Sequence, residues 1–145
     1  MLDFSPDGVY LLTDSLSNDP TTLVWRSSDG ALVATLQQDD YDPGWGFFSP
    51  DGLWVAVTSH EGSRLFRTAD WSLERTFPFL AQSFSPDSLG LQVHAAGGTT
   101  EVVSIDDGEP LAVIIASNPV LLPDGSVLEL KTTRGTVQVF EIETG

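Results

Sequence analysis

A five-residue turn signal recurs four times along this chain, each time between two strand-like runs. It reads Phe4-Ser5-Pro6-Asp7-Gly8, Phe48-Ser49-Pro50-Asp51-Gly52 and Phe84-Ser85-Pro86-Asp87-Ser88, and more loosely Leu121-Leu122-Pro123-Asp124-Gly125. The prolines stand at 6, 50, 86 and 123, in steps of 44, 36 and 37 residues. Self-similarity at a period of roughly 40 residues marks a repeat architecture, in which each unit buries its apolar faces against its neighbours. The turn has its own chemistry. Proline presets φ at the first turn position, Asp hydrogen-bonds nearby backbone, and Gly takes the left-handed residue. Ser88 stands where the other repeats have Gly, so Gly90 is the expected holder of the left-handed conformation in the third repeat.

Helical periodicity is absent. Short apolar, β-branched and aromatic runs alternate with Gly, Asp, Pro and Ser turns, which is the all-β pattern. After each Pro-Asp turn comes a strongly apolar run, at 9–13, 53–58, 89–95 and 127–131. Strands apolar on both sides suit the middle of a sheet covered on both faces. A polar hairpin and a third strand follow, then an Asp-Gly type turn, as at Asp29-Gly30 and Asp107-Gly108, and a fourth strand. The expected fold is therefore all-β, with about four repeats of four antiparallel strands, at about 1–37, 38–77, 78–116 and 117–145. The last repeat stops at Gly145 where its outer strand should begin, and Met1 leaves no spare strand to complete it. An incomplete or open ring of such sheets is the expectation, and it would self-associate to close.

Taken together, these residues resemble the WD-repeat β-propeller family and its bacterial Pro-Asp-Gly-rich relatives. The stretch from Leu2 through Phe4-Ser5-Pro6-Asp7-Gly8, Thr22-Leu23-Val24-Trp25-Arg26 and Asp29-Gly30-Ala31-Leu32-Val33 is similar to one such repeat read from its innermost strand outward. The closing Phe140-Glu141-Ile142-Glu143-Thr144-Gly145 resembles the family's Trp-Asp-Leu-Glu-Thr-Gly ending. Trp25 is followed by Arg26 and Phe66 by Arg67, so the Trp-Asp pair of the family is not kept. The resemblance implies propeller blades, within a longer propeller, whose loops bind a protein or peptide.

Charge narrows the partners. Twenty-one Asp and Glu against 6 Lys and Arg leave a formal net charge of -15 and a pI near 4.1. Phosphate binding relies on clustered Lys and Arg, so nucleic acid is excluded as a partner, and an anionic membrane surface is disfavoured. A basic protein or peptide would be steered in, although acidity also serves solubility alone. With no Cys there is no disulfide, thiolate metal site or cysteine nucleophile. No apolar run is long enough to span a bilayer as a helix, and the start lacks a signal-peptide pattern, which places the chain in the cytoplasm by expectation.

Candidate chemistry is sparse. The chain has two histidines. His60 lies in Ser59-His60-Glu61, where sequence neighbours on a strand point apart, and His94 sits in an apolar run as an ordinary strand residue. No nucleophile elbow occurs, so no catalytic residue is assigned and the chain is read as a non-enzyme. Asp39-Asp40-Tyr41-Asp42 begins like a calcium loop but lacks further ligands at the needed spacing, so a solvated loop is the ordinary reading and neither metal nor cofactor is expected. Trp25 and Trp54 fall inside strands as core residues, Trp25 buried between adjacent sheets, while Trp71 covers a sheet edge. Trp45 and Tyr41, between repeats, are the better contact candidates.

The strand directions gather the loops between repeats and the hairpins after the middle strands on one face. That face holds Asp39, Asp40, Tyr41, Trp45, His60, Glu61 and Arg134, and a Tyr-Trp pair among carboxylates suits a basic or Arg-containing peptide. The functional expectation is a non-enzymatic interaction scaffold. The alternative is an accessory propeller that gates substrate access to a prolyl-peptidase-like hydrolase encoded beyond this chain. Fold alone licenses neither.

Overall fold

In the computed structural model, residues 2–14, 21–37, 44–94, 100–114, 119–122, 126–131 and 136–141 are described. They form strands joined by turns. No helix among them is long and apolar enough to cross a membrane. Residues 1–81 and 82–145 form two compact units.

The first unit holds two sheets of identical plan. The first sheet is β1 (Leu2–Phe4), β2 (Tyr10–Asp14), β3 (Thr21–Arg26) and β4 (Leu32–Gln37), and the second is β5 (Trp45–Phe48), β6 (Trp54–Ser59), β7 (Gly62–Arg67) and β8 (Leu73–Phe77). Each is an antiparallel meander with its strands in chain order. The strand β9 (Ala81–Phe84), which starts on the last residue of the first unit, and β10 (Gly90–His94), β11 (Thr100–Ser104) and β12 (Pro110–Ile114) repeat that plan. The strands β13 (Pro119–Leu121), β14 (Ser126–Lys131) and β15 (Thr136–Glu141) make a three-stranded sheet among the described residues. All four sheets are open. The register slips by a β-bulge at one equivalent place in each four-stranded sheet, at Val24/Trp25, Leu65/Phe66 and Val102/Val103. Such a recurring bulge sharpens the local twist.

Serine is the part of the turn signal to which turn propensities alone give no role. Ser5 Oγ donates to Asp7 Oδ1 at 2.6 Å and accepts the Tyr10 N–H at 2.9 Å, while Asp7 Oδ1 also accepts the Val9 N–H at 3.0 Å. Ser49 and Asp51 repeat these bonds with Trp54 and Leu53, and Ser85 and Asp87 repeat them with Gly90 and Leu89. One hydroxyl thus ties the turn carboxylate to the first amide of the next strand. Gly8 and Gly52 have φ of 71° and 73°, as the turn chemistry requires. The fourth turn lies outside the described residues apart from Leu121 and Leu122.

Two expectations are corrected here. In the third repeat Ser88 itself takes the left-handed conformation, at φ 64°, and Gly90 does not. Gly90 is needed for space instead, because a Cβ there would sit 2.7 Å from Val102 Cγ1. Trp25 and Trp54 are half-buried rather than core. The register turns Trp25 away from the second sheet, and its indole Nε1 donates to Thr13 Oγ1 at 2.8 Å. Trp54 lies beneath the Arg67 guanidinium, 5.9 Å from the ring centroid.

The core of the first unit lies between its two sheets. Leu12, Val24 and Leu36 meet Phe48, Val55, Val57 and Phe66, all buried, with Tyr10, Val33, Ala34 and Trp71 around them. Each such side chain contributes about 1.5–3 kcal/mol by leaving water. Trp71 holds φ 60°, the conformation Gly30 and Gly108 hold at the equivalent turns. A bulky residue there is strained by roughly 1–3 kcal/mol. Its ring meets Tyr10 edge-on at 5.0 Å, so a side chain expected to cover a sheet edge joins the two sheets instead.

Replacing Gly52 by Ala forces a Cβ into a left-handed residue with no steric neighbour closer than Pro6 Cδ at 3.6 Å, so the cost is conformational. Gly52→Ala is expected to lower stability by about 1 kcal/mol or more in urea unfolding with an unchanged slope. An unaltered midpoint would contradict the turn assignment.

Candidate functional site

Strand direction alternates through each meander, so the serine turns and the hairpins after the middle strands fall at opposite ends of a sheet. In the second sheet Trp45 pairs with Thr58, and Ser59 pairs with Gly62 across the two-residue loop His60-Glu61. Trp45, His60 and Glu61 are therefore at one end of this sheet. Trp45 is half-buried, while His60 and Glu61 are exposed. Of the other expected site residues, Asp39, Asp40, Tyr41 and Arg134 lie outside the described residues.

The hairpin is held from below. Thr58 Oγ1 and Ser63 Oγ share a hydrogen bond of 2.6 Å, and the Ala81 N–H donates to both, at 3.1 and 2.8 Å. Ser63 Oγ also donates to the Phe79 carbonyl at 2.8 Å. Phe79 stacks on Phe77 with centroids 5.2 Å apart. These buried hydroxyls satisfy backbone groups that the strand ladders leave over. Gly62 follows the loop at φ 140°, and a Cβ on it would come within 2.2 Å of the Phe77 carbonyl oxygen.

Trp45 is anchored through its neighbour. Gly46 N–H donates to Asp14 Oδ2 at 3.2 Å, and Thr22 Oγ1 donates to Asp14 Oδ1 at 2.8 Å. Two strands of the first sheet thus fix the start of β5. Further along β5, Phe48 N–H donates to Asp3 Oδ2 at 2.9 Å, so an inward-pointing carboxylate caps the edge of the inner strand. No local pattern signals Asp3 or Asp14 in these roles, because their partners are 45 and 32 residues away.

The opposite end carries the shifted carboxylates. Asp7 is lowered by its bonds from Ser5 and Val9, Asp29 by the Ala31 amide and Arg26, and Asp70 by Ser72 and then Arg67. Arg26 pairs with Asp29 at 3.0 Å, and Arg67 with Glu74 at 2.6 Å. This end is built from turn chemistry. No group of three or more His, Cys, Asp or Glu residues able to hold a metal occurs among the described residues. The Asp40-x-Asp42 pattern lies outside them. His94 ends β10, where its Nε2 meets Gln82 Nε2.

No protein-family model matches the sequence, and no curated protein matches it either. Solved structures do. Hydrazine synthase of Kuenenia stuttgartiensis is similar with a TM-score of 0.68 and 14% identity, over 97% of this chain and 45% of that one. TolB of Acinetobacter baumannii is similar with a TM-score of 0.69 and 16% identity, over 99% of this chain and 41% of that one. Both are β-propeller proteins. The sheets described here are β-propeller blades. The chain spans less than half the length of either of these propeller proteins, and at such identities the likeness is one of fold.

Two outcomes follow from this geometry. Gly62→Ala should destabilise the propeller chain by more than Gly52→Ala, because the Cβ meets backbone that cannot rotate away. A thermal melt equal to that of Gly52→Ala would show that the hairpin shifts freely. The lowered carboxylates contribute stability that is present above the ordinary value of 3.8 and lost as pH falls through their lower folded values. Acid titration of Asp70→Asn should therefore show a shallower loss of stability below that pH than the parent. Parallel acid titrations would contradict the assigned bonds.

Proposed function

We propose that this propeller chain is a WD-repeat-like binding scaffold with no chemistry of its own, taking a basic peptide or protein partner on the hairpin end of its sheets. The observation that carries this reading is the placement of Trp45 with His60 and Glu61 at one end of the second sheet. An aromatic anchor beside a carboxylate is the combination that receives an Arg or Lys side chain, by stacking and by charge. The bonds of Asp14, Thr58 and Ser63 beneath them keep the backbone of that end rigid, which lowers the ordering cost of binding. The strong negative charge favours encounter with a cationic partner. Asp39, Asp40, Tyr41 and Arg134 are added to this proposed site from the sequence alone.

Hexa-arginine, free and embedded in tryptophan-free peptides, is the probe. Titration at physiological salt, followed by tryptophan fluorescence and calorimetry, should give saturable one-to-one binding. Trp45→Ala should weaken it at least tenfold, about 1.4 kcal/mol, and Glu61→Gln should weaken it less. Binding that Trp45→Ala leaves unchanged, or that vanishes uniformly with salt in all variants, would reduce the effect to bulk charge and contradict the site.

A further inference from the structure

We draw no further inference here: the strongest candidate, the open apolar face of the first sheet that sets Phe4, Leu11, Trp25 and Leu32 in one row, supports nothing because nothing in the structure shows what covers it.

Discussion

One hydroxyl group starts each blade. Ser5, Ser49 and Ser85 each donate to a turn aspartate and accept the amide of the residue that opens the second strand, at Tyr10, Trp54 and Gly90. Because the turn is closed at both ends, the second strand leaves it in a set direction and register. The alternation of sides along β2, β6 and β10 then decides which residues reach the core. A slip of one residue would move Leu12 to the open side and Leu11 to the covered one. The tight turn is thus the local feature that makes the long-range packing unique.

Packing between sheets completes what the turn begins. Leu12, Val24 and Leu36 of one sheet fill against Phe48, Val55 and Phe66 of the next, and carboxylates from the covering sheet satisfy amides of the covered inner strand at Gly46 and Phe48. The first and second sheets are therefore joined by apolar area and by hydrogen bonds at once. Coupling of this kind between neighbours is what suits such sheets to occur in series.

Much of this was legible in the sequence. The proline spacing and the apolar runs after each turn pointed to all-β repeats of four antiparallel strands, which the first three sheets display. Local chemistry misled where tertiary contacts decide. Ser88 takes a left-handed conformation that composition assigns to Gly90, because the Ser85 clamp closes the turn whatever residue follows Asp87. Trp71 occupies a glycine-like turn position because its ring is held against Tyr10. Trp25 faces away from the second sheet, and its size alone could not reveal which row it joins. For the site, strand direction sufficed to place Trp45, His60 and Glu61 at one end. The supports beneath them, Asp14 and the Thr58–Ser63 pair, bridge sequence separations that no local pattern encodes.

The account rests on the serine clamp as the shared origin of the blades, and native-state hydrogen exchange measures it most directly. The amides of Tyr10, Trp54 and Gly90 should exchange orders of magnitude more slowly than the exposed turn amides of Asp29 and Asp70, to a similar degree in all three blades. Replacing Ser49 by Ala should speed exchange at Trp54 and leave Tyr10 and Gly90 protected. Exchange at these three amides as fast as in an unfolded peptide would contradict the account.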